Sequence, residues 1–418
     1  MRSCLAASLV WVLFGVGCSD DPCEGVTGTC IAIEEGASAE SVQTTFITVP
    51  EGATIAFAAG RFEFAAELSL DVDGVTIKGA GIDATTLSFK GQTEGAQGVL
   101  VTADRFTLTD LAIEDTQGDA LKVLGAAGVT IQRTRVEWTG GPAETNGAYG
   151  LYPVQCSDVL IEDSVAVGAS DAGVYVGQSD RIIVRRNRVL LNVAGIEIEN
   201  STNADVYENT ATTNTGGILV FNLPDLEVAN GAKTRVFDNT IFENNTDNFA
   251  PAGNIVGLVP KGTGIAILAA HQVEIFGNDV RDHLTVNIGL ISYVPTMKPV
   301  TDRRYDQYPT SLWIHDNTLA GVSDQPTGEL GALLILGLGE LHGAPYIVPD
   351  IMWDGVRDPA RSGGGDYAGA DRICIQRNGD ADFLDLHYPT DDAVVPVEDL
   401  APHDCAHPAL PDVQLSAP

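Results

Sequence analysis

The sequence has few basic residues and few aromatic ones. Only 23 Lys and Arg stand against 57 Asp and Glu, so the formal net charge is −34. Nucleic-acid binding needs a basic surface that neutralises phosphates, and this composition excludes that class. Aromatic residues make up 6% of the chain but hydrophobic residues 44%, which is enough for a packed core and excludes disorder. The 45 glycines indicate many turns and favour a β-rich protein.

Long apolar runs are missing too, apart from one at the N-terminus. Residues 5–14 follow the positive charge of Arg2 and are too few to span a membrane, so they indicate a signal peptide over residues 1–17. The small residues 15–17 resemble a bacterial lipobox, which makes Cys18 the expected lipidation site; ordinary cleavage is the alternative. We expect an extracytoplasmic protein of the bacterial cell envelope, periplasmic or at the cell surface, that meets the membrane only through a lipid anchor.

The cysteines agree with an oxidising compartment. Removal of the signal peptide and lipidation of Cys18 leave five of them, which form two natural pairs and a lone core thiol, Cys156. The expected disulfides are Cys23–Cys30 and Cys374–Cys405. No Cys-x-x-Cys-His motif occurs, so the chain carries no covalent haem of its own.

Two units recur along the chain. The first is Gly, aliphatic, any residue, aliphatic, with a base period of 22 residues; the second follows 11 residues later and ends in Asn. Three short strands and three turns fill 22 residues, whereas two helices would not fit. The repeat therefore predicts an all-β fold, a right-handed parallel β-helix in which each rung buries its apolar face on the next.

The asparagines of the second unit form a column with a structural role. We expect them to adopt the positive φ that a tight turn needs, while their amides bond to the rungs above and below. The ladder residues are Asn187, Asn209, Asn239, Asn278 and Asn317. A second amide column lies five residues after each glycine: Gln155, Gln178, Asn200 and Asn222.

Charged residues share a further column, called the alternating-charge column because its signs begin by alternating. They are Arg133, Asp163, Arg186, Glu208 and Asp238. Because an anion-binding site would present one sign of charge, this alternation indicates ion pairs between rungs.

Several segments resemble the right-handed parallel β-helix superfamily of pectin and pectate lyases. Residues 49–55 and 74–81 look like its first rungs. The segments at 147–153, 171–178, 195–200, 216–221 and 374–383 are similar to a narrower group, the exported β-helix repeat proteins commonly encoded beside a dihaem c-type cytochrome. The resemblance implies the fold and a c-type cytochrome as a candidate partner, but little about activity, because the group has none established.

The predicted organisation has four parts. These are a signal peptide (1–17), an N-terminal tether (18–45), the parallel β-helix (46–345), and the last rung with a C-terminal cap (346–418). Nine of the twenty prolines lie from Pro345 onward, so we expect an irregular cap stapled by the Cys374–Cys405 disulfide. We expect a monomer.

One face of the glycine unit is the predicted functional site. The second position after each glycine points outward and is expected to face solvent, and three insertions at roughly 139–148, 223–234 and 247–262 are expected to wall it. Tyrosines beside carboxylates suit sugars, because rings stack on C–H groups while acids bind hydroxyls. The substrate-binding candidates are Tyr152, Tyr175, Gln178 and Asn222.

Paired carboxylates on this face are the catalytic candidates. Glu197, with Asp171 or Glu199, has the residue type for acid–base work on a glycosidic bond; the alternative is that these are solvated outward residues. His271, His283 and His315 lack metal-ligand spacing, so no metal site or cofactor is predicted, with calcium left open.

The charge weighs on the kind of activity. A surface of net charge −34 repels an anionic polyuronate over about 10 Å, so a polyuronate lyase is disfavoured unless calcium bridges the two. The preferred prediction is a binding or docking rod at the envelope for a glycan or a protein partner. The alternative is a polysaccharide-processing enzyme, a hydrolase, epimerase or lyase, so the sequence leaves open whether the protein is an enzyme.

Overall fold

The computed structural model describes residues 21–321, 325–341, 343, 347–387 and 396–416. The chain coils into a parallel β-helix whose strands begin at Cys30 and end at Asp385. Pairings between these strands are parallel, because each rung lies on the one before it. The predicted signal peptide and Cys18 lie outside the described residues.

One sheet contains the glycine units and is called the glycine-unit sheet. In the described ranges it has 11 parallel strands. They are Ala66–Leu70, Glu94–Val101, Asp119–Leu124, Tyr149–Val154, Ala172–Gly177, Ala194–Glu199, Gly216–Phe221, Thr263–Leu268, Val286–Ile291, Ile351–Trp353 and Phe383–Asp385.

Each rung of the coil has three sides, and the other two sides form the second and third sheets. Two long strands, Phe106–Glu114 and Ala127–Glu137, bend where these two sheets meet and belong to both of them. The second sheet also contains Cys30–Ile33, Thr54–Phe57, Thr76–Lys78, Ser157–Glu162, Asp180–Arg185, Thr202–Tyr207, Ala232–Phe237, His271–Phe276, Thr310–His315 and Ile373–Gln376. The third sheet also contains Gly60–Glu63, Thr85–Ser88, Val165–Val167, Arg188–Leu190, Thr210–Thr212, Thr240–Phe242, Asp279–Arg281 and Thr318–Ala320.

The core is a stack of branched aliphatic side chains. On three consecutive rungs Val174, Ile196 and Ile218 lie in register, and each is at most 1% exposed. Burying such a side chain stabilises the fold by about 1.5–3 kcal/mol. Successive side chains of a strand point to opposite sides of the sheet. The residues that follow these three, Tyr175, Glu197 and Leu219, therefore point to the outer face.

The asparagine ladder runs through the turn between the second and third sheets. The Asn187 backbone N–H and Nδ2 both donate to Asn209 Oδ1, at 2.9 and 3.0 Å, and Asn209 bonds to Asn239 in the same way. The pattern continues through Asn278 and Asn317 to Asn378.

The expectation that these asparagines adopt positive φ was wrong. The residue before each of them does so instead, with Arg186 and Glu208 at φ 54° and Asp238 at 53°. The reason is that the Asn side chain must point along the stack to bond with both neighbouring rungs, so the preceding residue makes the turn. The alternating-charge column is thus also the left-handed column of the turn.

A second buried ladder was missed by the sequence analysis. Asn192, Asn214 and Asn244 bond to one another as the first ladder does, and His283 continues the column. These residues lie five positions after the first ladder's asparagines, so the sequence signal was present.

The ends of the coil are covered by helices and irregular chain. Helix Ala39–Thr48 buries Val42 and Phe46, and it lies partly within the residues predicted as a tether. Helix Gly328–Leu341 packs Leu334 and Leu338 in an apolar cluster with residues of the glycine-unit sheet. The shorter helices are Ile255–Leu258, Val294–Thr296, Pro359–Ser362, Gly369–Asp371 and Ala401–His403. Disulfides join Cys23 to Cys30 and Cys374 to Cys405, as predicted, and Cys156 is a buried free thiol.

Candidate functional site

The predicted catalytic carboxylates lie together at the middle of the glycine-unit sheet. Glu197 and Glu199 point outward from strand Ala194–Glu199, and Asp171 immediately precedes strand Ala172–Gly177 on the rung before. Tyr175 pairs in register with Glu197, which places the tyrosine directly beside the carboxylates. Neighbouring rungs therefore bring these four side chains to one patch.

The expectation that this face is open to solvent was wrong. Glu197 is only 2% exposed, Asp171 6% and Glu199 7%. An apolar layer covers the sheet here, in which Val256 and Val259 of the 247–262 insertion pack with Tyr293 and Tyr305. The 247–262 insertion therefore folds down onto the face rather than standing beside it as a wall.

Hydrogen bonds hold two of the three carboxylates. Tyr175 Oη donates to Glu199 Oε1 at 2.6 Å, and Tyr149 bonds with the Asp171 carboxyl. Asn254 Nδ2 also lies 3.4 Å from Asp171 Oδ2. Glu197 Oε2 is buried and has no hydrogen-bond partner in the described part of the chain. An unpartnered buried carboxyl oxygen is costly, and such atoms concentrate at functional sites.

Burial and mutual repulsion keep protons on this cluster. Burial raises the pKa of Asp171 to about 7, and the nearby Glu199 carboxylate adds to the effect. Burial also raises the pKa of Glu199 to about 7, against the hydrogen bond from Tyr175. The pKa of Glu197 is raised well above its ordinary value by burial and by the other two carboxylates. The cluster therefore both holds and releases protons near neutral pH.

Three tyrosines border the cluster. The ring centroid of Tyr149 lies 4.5 Å from those of Tyr152 and Tyr175, and Lys122 Nζ lies 4.8 Å from the centroid of Tyr152. Tyr152 is half-buried, so it forms the accessible side of the patch. Tyr149 was missed by the sequence analysis. Its signal is that it aligns with Ala172 and Ala194, where neighbouring rungs have a small residue.

The amide column holds the 223–231 insertion against the sheet. Gln178 Oε1 accepts from the Glu227 N–H at 2.9 Å, and Asn222 exchanges two hydrogen bonds with the Gly231 backbone. Asn200 donates to three carbonyl groups of the same segment. The structure thus places the polar groups of Gln178 and Asn222 in contact with the chain itself.

The histidines lie apart from this patch. His315 contacts Glu274 and Asp316, His271 contacts Thr310, and His283 belongs to the second ladder. Among the described residues, no group of three or more His, Cys, Asp or Glu is placed to hold a metal ion. Nor does any described helix have the length and apolar character needed to cross a membrane.

Comparisons with known proteins identify the fold. Residues 97–247 match the family described as right handed beta helix region. The A-module of the Azotobacter vinelandii mannuronan C-5 epimerase AlgE4 superposes with a TM-score of 0.51 at 19% identity, over 81% of this chain and 90% of that one. The polygalacturonase of Erwinia carotovora gives a TM-score of 0.47 at 10% identity, over 71% and 94%. No curated protein matches the sequence.

These comparisons confirm the predicted right-handed parallel β-helix. The AlgE4 module shares this fold, and its sequence identity of 19% establishes the fold alone.

Proposed function

We propose that the protein binds a neutral glycan at the tyrosine–carboxylate patch and cleaves or rearranges it by acid–base catalysis. One observation carries this proposal: Asp171, Glu197 and Glu199 are buried together, and no Lys or Arg of the described residues forms an ion pair with them. A purely structural face gains nothing from three uncompensated carboxyl groups. Acid–base chemistry on a glycosidic bond needs such groups with pKa values near neutral.

The environments of the three groups suggest distinct roles. Burial and the two neighbouring carboxylates raise the pKa of Glu197, and its Oε2 has no hydrogen-bond partner among the described residues, which suits a general acid that protonates the glycosidic oxygen. Asp171 and Glu199 are oriented by Tyr149 and Tyr175, which suits a base that accepts a proton from water or from the sugar. Tyr152 offers a ring for stacking on the sugar.

A neutral glycan fits this patch better than a polyuronate. The cation beside the tyrosines is Lys122, whereas the cluster and the net charge of −34 both repel uronates. Asn254 is exposed while its Nδ2 lies 3.4 Å from Asp171 Oδ2, so access of substrate to the carboxylates requires the 247–262 insertion to move away from the face.

The test compares two glutamates that lie on the same rung but on different sides of the coil. A glycan array with the wild-type protein identifies ligands, and product analysis then follows Glu197→Gln and the control Glu208→Gln, which changes an exposed residue beyond the second sheet. We expect Glu197→Gln to retain binding and lose at least about 100-fold in turnover, with the control unchanged. Absence of binding to every glycan, or equal loss in both variants, would overturn the proposal.

A second candidate function is docking of a basic protein partner, such as the c-type cytochrome implied by the family resemblance. The supporting observation is the charge of −34, which attracts a basic partner at low salt. A pull-down that captures no cytochrome at low ionic strength would exclude docking.

We further propose export of the protein and lipidation at Cys18. The two disulfides support export, because disulfides form in oxidising compartments. An N-terminal mass that lacks a lipidated Cys18 would exclude the anchor.

A further inference from the structure

The C-terminal segment, residues 406–416, returns along the outer face of the second sheet. Its backbone donates three hydrogen bonds to carboxylates of that sheet. The N–H of Leu410 donates to Glu274 Oε2 at 2.8 Å, and the N–H of Val413 to Asp205 Oδ2 at 3.0 Å. The N–H of Ser416 donates to Asp158 Oδ1 at 2.7 Å.

The contacts recur at similar spacings along the segment and across the sheet. The donors are every third residue of the segment, and the acceptors lie on every second strand: His271–Phe276, Thr202–Tyr207 and Ser157–Glu162. Glu274 and Asp205 occupy the same register position, whereas Asp158 lies two residues earlier on its strand. Two strand spacings are about 9.5 Å, and three residues of a polyproline II helix rise about 9.3 Å. A β-strand would turn its third residue to the opposite side, whereas a helix with three residues per turn presents every third N–H to the same side.

The carboxylates are fixed before any peptide arrives. Arg181 NH2 lies 2.7 Å from Asp158 Oδ2, Arg235 NH2 lies 2.6 Å from Asp205 Oδ2, and His315 Nε2 lies 3.1 Å from Glu274 Oε1. Each carboxylate is therefore held by a neighbouring side chain and presents an oxygen to the segment. Preorganised acceptors lose little entropy when a ligand binds.

The sequence of the segment fits the same pattern. Pro408 and Pro411 lack an N–H and occupy positions that donate no bond, while the half-buried residues 407, 410 and 413 face the sheet. Side chains add two contacts: Asp412 Oδ1 lies 2.6 Å from Arg235 Nη1, and the Ser416 side chain bonds with Asp158 together with its own backbone N–H. At Leu410 and Val413 the contacts with the carboxylates use the backbone alone, so these positions tolerate many side chains.

We propose that this face of the second sheet is a recognition groove for an extended, polyproline-type peptide, occupied in this structure by the protein's own C-terminal segment. The partner it fits is a proline-containing segment of another protein, with free N–H groups at positions i, i+3 and i+6 and an acidic residue at i+2. The resident segment has the features of an exchangeable ligand, because Pro411, Asp412 and Gln414 between its donors are exposed and the segment follows the Cys374–Cys405 disulfide rather than lying inside its loop. The groove lies on a different sheet from the tyrosine–carboxylate patch and is independent of the proposed catalysis.

The test weakens the resident segment in the full-length protein and supplies a peptide. Val413→Pro removes the central donor and leaves the groove intact. A fluorescein-labelled peptide of residues 406–416 should bind this variant at least about tenfold more tightly than it binds the wild-type protein, because the resident segment no longer competes. Fluorescence anisotropy measures the affinity.

Two altered peptides make the comparison specific. The N–H of Gln414 bonds to no residue that the structure describes, so a peptide with Gln414→Pro should bind as the original peptide does. A peptide with Val413→Pro lacks the N–H that donates to Asp205, so it should bind at least about tenfold more weakly. Equal binding of the two peptides, or no binding of the original, would overturn the proposal. Hydrogen exchange in the wild-type protein gives a test that needs no protein variant. The amides of Leu410, Val413 and Ser416 should be protected from exchange, and those of Ala409, Asp412 and Gln414 should not. Uniform exchange along the segment would contradict the groove.

Discussion

Carboxylates on the outer faces of the glycine-unit sheet and the second sheet have opposite electrostatic environments. In the second sheet, the hydrogen bond from Arg181 lowers the pKa of Asp158 to about 2. In the glycine-unit sheet, burial without a cation raises the pKa of Asp171 and of Glu199 to about 7. Both sheets carry acidic residues on their outer faces, so what differs is how deeply each carboxylate is buried and whether a neighbouring rung supplies a cation.

The difference separates stabilising charges from functional ones. A carboxylate paired with Arg in the folded state adds stability at neutral pH, whereas a buried unpaired one subtracts from it. A protein retains such a loss where function needs it, and for this reason the proposed catalysis belongs on the glycine-unit sheet.

The largest expected effect comes from breaking a buried pair of the second sheet. Asp205 and Arg235 have side chains only 4% and 10% exposed. Asp205→Ala leaves the Arg235 charge buried with only Asp412 as its partner, and we expect the free energy of unfolding to fall by about 3–5 kcal/mol. Urea unfolding at pH 7 measures this. The double variant Asp205→Leu/Arg235→Met should recover much of the loss, and a loss below about 1 kcal/mol in the single variant would show that the pair is not stabilising.

Removal of an unpaired carboxylate should have the opposite sign. The pKa of Asp171 is higher in the folded protein than its ordinary value of 3.8, so the folded state holds the extra proton and stability falls as pH rises from about 4 to about 7. Asp171→Asn removes this fall. We expect about 2–4 kcal/mol of added stability at pH 8 and almost none at pH 4.

Urea unfolding at the two pH values measures the effect, and Asp163→Asn is the matched control. The hydrogen bond from Arg186 lowers the pKa of Asp163, so this variant should lose a little stability at pH 8. Destabilisation by Asp171→Asn at pH 8 would mean that the cluster is a structural network.

The same two regions show what the sequence could predict. The period of 22 residues and the recurring Gly and Asn units define the rungs, and strand alternation sends Glu197 and Glu199 outward together. The cover over them could not be predicted, because the 247–262 insertion has no periodicity and its Val256 and Val259 have no register with the rungs. The C-terminal segment likewise lacks a strand pattern, since its hydrogen bonds to the second sheet come mainly from the backbone N–H of every third residue.

A change in the asparagine ladder tests the frame that both sheets share. Asn209 Oδ1 accepts two bonds from Asn187, and Asn209 Nδ2 donates to Val184 and Asn239. Asn209→Leu leaves these partners unsatisfied in the core, and we expect a loss of about 1–3 kcal/mol. Asn209→Asp keeps the acceptor for Asn187 but turns a second oxygen towards the Val184 carbonyl and Asn239 Oδ1, so it should lose at least as much. An unchanged melting curve for Asn209→Leu would contradict a stabilising role of the ladder.

The smallest effect is expected where a pair of opposite charges is exposed. Arg186 Nε lies 2.8 Å from Asp163 Oδ1, as close as the atoms of a buried pair, but both side chains are 38% exposed. Water and salt screen such a pair, so Arg186→Ala should cost only about 0.2–1 kcal/mol, and 1 M NaCl should abolish most of that cost. Urea unfolding at low and high salt measures both quantities. If Arg186→Ala cost as much as Asp205→Ala, proximity alone would determine the strength of these pairs. We expect instead that burial does, because the same ion pair interacts more strongly where water is excluded.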